Sequence, residues 1–333
     1  MVKTVLALAL TAAACGGAAG RPSWRPTRVW PDPPAPAEVR WLGEYPDAAA
    51  PPPSPSWWKR ATDAVAGVDE RPRANAPTLV RPFGVAAIPD GFVVADPDAR
   101  RVTRVAWPAG RAAAVGCPGR AWNAPLAVAV EADGTIYVAD GALVKVPPAG
   151  PCAIFGAGRL VRPSGVAVAA GKIYVVDPPR HTVDVFTGAG AHVLAIGARG
   201  DAGGPGLNFP TAVAVAPDGT LLVVDALNFR VSRFGSDGRW LGSTGEPGDG
   251  GGAFGRPKAV AVDAGGRIFV SDAQHDVVII LSPRGDFELA VGGSGAGPGD
   301  LTLPAGVAIG GRLLFVADSH NHRVGVYELR GER

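Results

Sequence analysis

The chain has 333 residues, 47% of them hydrophobic, with 47 Gly and 33 Pro. That much Gly and Pro is incompatible with a mainly helical protein and points to many short strands joined by turns. The charges, 32 basic against 30 acidic, leave a net +2, too weak a field to gather phosphates, so nucleic acid is not an expected partner.

The first element is the stretch "MVKTVLALALTAAACGGAAG". One Lys, a short apolar run from Val5 to Leu10 and small residues read as an export signal over residues 1–14, because a membrane span needs about 20 apolar residues. Ala12-Ala13-Ala14-Cys15 resembles the bacterial lipobox, which implies lipid attachment at Cys15. The usual Leu three residues before the Cys is Ala12 here, and cleavage after Ala14 by an ordinary signal peptidase is the alternative. By the lipoprotein sorting pattern, Gly16 after the Cys places the anchor in the outer membrane. Residues 15–37, rich in Pro, Ala and Arg, read as a tether. "EVRWLGEY" (38–45) then stands alone ahead of a loop, 46–78. Within that loop Ser56 is a plausible N-cap for a short helix at about 56–67, whose Trp57 and Trp58 would be a plug against the fold or a docking surface.

From residue 79 to 327 the chain repeats itself. "RPFGVAAIPDGFVVAD", "APLAVAVEADGTIYVAD", "RPSGVAVAAGKIYVVD", "FPTAVAVAPDGTLLVVD", "RPKAVAVDAGGRIFVSD" and "LPAGVAIGGRLLFVAD" close on Asp96, Asp140, Asp177, Asp225, Asp272 and Asp318. Each copy contains an alternating strand, a Gly turn, an apolar strand ending in Asp, and then two more short strands. One four-stranded antiparallel sheet for every 40 to 50 residues is the signature of a propeller blade, so the expected fold is an all-β, six-bladed β-propeller. The pattern P-x-G-V-A-V…D-x-x-N-x-R-V, best seen in "DALNFRV" and "DSHNHRV", resembles the NHL repeat. The first copy lacks the Asn, and the second loses two positions and the Arg after Asp140.

The last copy ends after its third strand, which would leave an unpaired edge. "EVRWLGEY" is similar to "DGRWLGSTG", the outermost strand of the fourth copy, so residues 39–45 are expected to pair with Val324–Tyr327 and close the ring. The folded unit would then run from 38 to 333.

Candidate chemistry is sparse. In an oxidising compartment Cys117 and Cys152 are either a disulfide or two buried thiols. The NHL resemblance extends to peptide-amidating lyases, in which histidines from several blades converge on a metal. Here His181 and His322 sit four residues after a blade Asp, where the repeat itself often has His. His275 takes an Asn position and His320 lies two residues past Asp318; the fifth histidine is His192, and no third equivalent His joins them in the first, second or fourth copy. No catalytic residue, metal or cofactor is expected. The six aspartates are expected to cap turns or pair with Arg101, Arg230 and Arg323, and the Gly-rich runs at Gly200 and Gly245, lacking Lys-Ser/Thr, to be inter-blade loops rather than phosphate loops. The resulting expectation is a lipid-anchored binding module of the cell envelope for a protein, peptide or glycan; the competing reading is a periplasmic metal-dependent lyase or hydrolase with its site in the central channel.

Overall fold

The computed structural model describes residues 28–32, 35, 38–46 and 79–330. Cys15, the export signal and the 56–67 helix with Trp57 and Trp58 lie outside the described residues.

Two strands, β1 (Val29–Trp30) and β2 (Val39–Tyr45), precede the repeats. Blade 1 comprises β3 (Val85–Ile88), β4 (Gly91–Asp96), β5 (Arg101–Ala106) and β6 (Arg111–Val115), and blade 2 comprises β7 (Ala127–Val130), β8 (Ile136–Ala139), β9 (Leu143–Val146) and β10 (Ala153–Phe155). In blade 3 are β11 (Gly165–Ala169), β12 (Lys172–Asp177), β13 (Thr182–Thr187) and β14 (His192–Ile196), and in blade 4 β15 (Pro210–Val215), β16 (Leu221–Asp225), β17 (Arg230–Phe234) and β18 (Trp240–Thr244). Blade 5 has β19 (Pro257–Val262), β20 (Ile268–Asp272), β21 (Val277–Leu281) and β22 (Phe287–Gly292), while blade 6 begins with β23 (Pro304–Gly310), β24 (Leu313–Asp318) and β25 (Arg323–Leu329). All sheets are antiparallel and run outward in chain order, and the inner strands β3, β7, β11, β15, β19 and β23 touch one another in sequence around the ring. The expected six-bladed propeller is the observed fold.

Strand composition follows position. The second strand of each blade is sandwiched between neighbouring blades and is buried along its length, as "LLVVD" in β16 and "IFVSD" in β20 are, so it reads as a continuous apolar run. The outer strands β6, β14 and β18 expose much of their length to water. Inner strands approach closely: a Cβ on Gly306 would lie 2.3 Å from the Phe83 carbonyl oxygen, and Gly306 N donates to that oxygen at 2.7 Å. Only glycine fits there.

Blade 6 is completed from the other end of the chain. β2 pairs antiparallel with β25 from Val39↔Leu329 to Tyr45↔Val324, with a bulge at Leu42. The pairing runs two residues further than Val324–Tyr327. A fifth strand, β1, pairs with β2 through Val29↔Arg40 and Trp30↔Val39. It lies within the stretch read as tether, so the ordered fold begins ahead of Glu38. The signal was too short for periodicity to detect: two apolar residues, of which Trp30 packs into a cluster with Trp41, Tyr327, Phe269 and Leu301.

Blade 2, the most worn copy, is held differently. Cys117 and Cys152 are joined by a disulfide, Cα–Cα 5.9 Å, that ties the linker following β6 to the segment ahead of the three-residue β10. Closing a loop of this sequence separation, 35 residues, contributes on the order of 4 kcal/mol in the chain-entropy model. Arg120 replaces the Arg missing after Asp140, its Nη2 donating to Asp140 Oδ2 at 2.8 Å and to the Asp140 carbonyl at 3.0 Å.

Candidate functional site

Register places the start of every inner strand beside the end of the second strand, as in Pro210↔Asp225, Pro257↔Asp272 and Pro304↔Asp318. That end of the ring also carries the loops leading from each blade to the next, and we call it the loop face. The six blade aspartates stand along it. Each accepts amides from the segment that enters its own inner strand: Val80 N and Arg81 N at Asp96, Ala124 N at Asp140, Val161 N at Asp177, Asn208 N at Asp225, Gly255 N at Asp272 and Thr302 N at Asp318, at 2.6 to 3.0 Å. Their carboxylates therefore clamp backbone. A charge-assisted bond of this kind contributes about 1.5–3 kcal/mol.

Besides Asp140 with Arg120, two of these aspartates pair with the arginine five residues downstream, Arg230 Nε to Asp225 at 2.9 Å and Arg323 Nε to Asp318 at 2.7 Å. Asp96 and Arg101 are register partners in the same arrangement. The remaining donors of the buried Arg230 reach the carbonyls of Ala202, Gly204 and Gly206, and those of Arg323 the carbonyls of Ala296, Gly297 and Asp300. Of the Gly-rich loops, 202–206 and 296–300 are thus carbonyl cages for a guanidinium, whose five fixed donors match a ring of oxygens. Burial pushes the Asp318 carboxyl up against the opposing bonds from Thr302, Asn321 and Arg323.

The histidines are scattered. His181 Nδ1 accepts the Phe209 amide at 3.1 Å, linking blade 3 to blade 4, and His322 Nδ1 bonds the Val80 carbonyl, linking blade 6 to blade 1. Both have positive φ, 58°, as do Arg100, Phe229 and Asp276 at the same repeat position. His275 Nε2 meets the exposed Asp249 at 3.1 Å, His320 stacks on His322, and His192 bonds the buried Asp184 together with Arg159. Among the described residues no group of three or more His, Cys, Asp or Glu is placed to hold a metal.

What the loop face does gather is a ring at the channel mouth. The residue after the strand-opening Pro is Phe83, Leu126, Ser164, Thr211, Lys258 or Ala305 in the six blades. Ser164 Oγ donates to Thr211 O at 3.0 Å and Thr211 Oγ1 to Lys258 O at 2.8 Å, so these side chains reach to the neighbouring inner strand. Ser271 and Ser319 extend the belt to Ala305 O and Pro82 O. The hydroxyls are spent on joining blades. Lys258 alone in the ring carries charge; burial, and then the nearby Arg256, hold its ammonium below the usual lysine range. Arg81, Arg162 and Arg256, each just ahead of the Pro that opens an inner strand, are exposed, as are the apolar side chains of Val80, Val161, Leu227 and Leu303 in the segments next to blade aspartates. Sequence reading passed over Lys258; the signal was the one charged residue at the variable position of P-x-[GA]-V-A.

The NHL repeat model matches residues 301–327, the last of the six copies. No curated protein matches the sequence. Among solved structures the chain is similar to a gluconolactonase from Xanthomonas campestris (17% identity, 76% of this chain and 87% of that one, TM-score 0.60). It is similar too to virginiamycin B lyase from Staphylococcus aureus solved with quinupristin (15%, 75% and 81%, 0.56) and to an auxiliary nutrient binding protein from Bacteroides thetaiotaomicron (11%, 75% and 70%, 0.57). Two enzymes and a binding protein on one scaffold leave the activity open, since propellers host unrelated functions. What sequence, register and these likenesses establish together is an all-β, six-bladed β-propeller carrying an NHL repeat in its last blade.

Proposed function

We propose that the protein is an exported, lipid-anchored binding module that takes a carboxylate-bearing chain, peptide or envelope glycan, at the channel mouth of its loop face. The observation that supports this reading is Lys258: a half-buried ammonium in a ring of apolar groups and committed hydroxyls, flanked by Arg256. A partly desolvated cation in a ring that also carries Phe83 and Leu126 favours an anionic ligand with an apolar body, because a carboxylate there interacts in a lower dielectric than at an open surface. Ser164, Thr211, Ser271 and Ser319 donate their hydroxyls to backbone carbonyls of neighbouring strands and turns, which favours a binding role for this ring.

Titration calorimetry with poly-glutamate and with polygalacturonate separates the two sources of carboxylate. Binding of one of them, weakened at least tenfold in Lys258→Met and in Arg256→Ala, is expected; equal binding by wild type and both variants would overturn the reading. For the anchor, Cys15→Ser is expected to move the protein from the membrane to the soluble fraction of the envelope.

A further inference from the structure

The motif Arg-Trp-Leu-Gly occurs in β2 and in β18, and the two copies occupy the same register. Trp41 pairs with Tyr327 and Gly43 with Val326, while Trp240 pairs with Phe234 and Gly242 with Arg233; the bulge falls on the Leu both times. The loops that lie over them also correspond. Parallel bridges Ser294↔Leu301 and Arg199↔Leu207 frame each loop, and both loops carry a Pro-Gly pair, Pro298-Gly299 followed by Asp300 in one and Pro205-Gly206 directly before Leu207 in the other.

At blade 6 this seat is filled. The Trp30 ring lies 5.7 Å from that of Tyr327, and a Cβ on Gly299 would be 2.7 Å from its edge. Trp41 N donates to the Arg28 carbonyl at 2.9 Å, and the Arg28 side chain pairs with Asp300. At blade 4 the same walls, Gly197 to Gly206 with Phe234 and Trp240, surround a cleft of about 470 Å³ that no described segment enters. Trp240 and Leu241 are 38% and 43% exposed there. Blade 5 differs, because its loop closes directly on Phe287, within 3.1 Å of a Cβ at Gly251.

We propose that the blade 4 cleft is a docking site for an extended peptide of a partner protein, one that presents a tryptophan preceded by a basic residue. The occupant's chemistry is read from the segment Arg28-Val29-Trp30 that fills the equivalent seat. An aromatic ring enters between Trp240 and the loop, the peptide backbone meets β18 at Trp240, the counterpart of Trp41 whose N–H meets the Arg28 carbonyl, and the exposed Asp201 on the cleft wall receives the cation. Strand addition at an edge supplies backbone bonds, and the ring in its pocket supplies selectivity. None of the channel-mouth residues lines the cleft, and the site does not depend on the function proposed for that mouth.

The test uses the full chain and a fluorescein-labelled peptide of residues 26–35, with a second peptide in which its tryptophan is Ala. Saturable binding of the first, at least tenfold weaker for the Ala peptide and at least tenfold weaker with Trp240→Ala, is expected, with the melting temperature of that variant unchanged. A peptide carrying benzoylphenylalanine in place of the tryptophan should crosslink to residues 197–206. Equal binding of both peptides, crosslinks at blade 6 or at the channel-mouth ring around Lys258, or a dimer of the protein that Trp240→Ala dissolves would each overturn the proposal, the last by assigning the cleft to a second copy.

Discussion

Two copies of Arg-Trp-Leu-Gly, 199 positions apart in sequence, take the same strand, register and bulge, yet Trp41 is 6% exposed and Trp240 38%. The difference comes from what lies beside each strand. β2 is roofed by β1, which brings Trp30, and its Glu44 reaches Arg323 Nη1 at 2.6 Å. β18 has Ser243 where β2 has Glu44, and among the described residues no further strand joins its outer edge. The same local instruction therefore produces a structural keystone at blade 6 and an open edge at blade 4.

The largest effect that would break this comparison is removal of residues 28–45. It strips two strands from blade 6 and exposes β25, so calorimetry should show loss of the single cooperative transition, whereas a chain that melts as wild type would refute ring closure. Next come the two arginine cages: Arg230→Met and Arg323→Met each strand a buried aspartate and a set of carbonyls, costing about 3–5 kcal/mol in denaturant unfolding. Similar costs in the two blades would show that both cages are equally built. Trp41→Ala should cost about 3–5 kcal/mol through lost burial and an unfilled cavity. Glu44→Ser gives blade 6 the residue of blade 4, and losing a charge-assisted bond to Arg323 should cost about 1–3 kcal/mol. Trp240→Ala, at an exposed site, should change stability by no more than about 0.5 kcal/mol. Equal costs for Trp41→Ala and Trp240→Ala would remove the distinction between keystone and edge.

Much of the fold was legible because a propeller repeats one local rule. The turn at each Gly, the apolar second strand and the terminal Asp recur six times, and the missing fourth strand of the last copy pointed to residues 39–45. The candidate site was far less legible. Lys258 occupies a position where Phe83, Leu126, Ser164, Thr211 and Ala305 also occur, and only the ring places these side by side at one channel mouth. Arg120 was likewise hidden: the repeat predicts an arginine after Asp140, and the one that serves lies 20 residues before it.

By itself, the sequence determined the number of blades, the order of strands and the pairing that closes the ring, since turn chemistry and the alternation of apolar residues act over a few residues and repeat in phase. The tertiary structure decided which copy of a motif is buried, which loop becomes a guanidinium cage and where an unmatched charge comes to rest. Those outcomes depend on segments far apart in the chain, whose meeting sets the burial and the hydrogen-bond partners that each side chain finds.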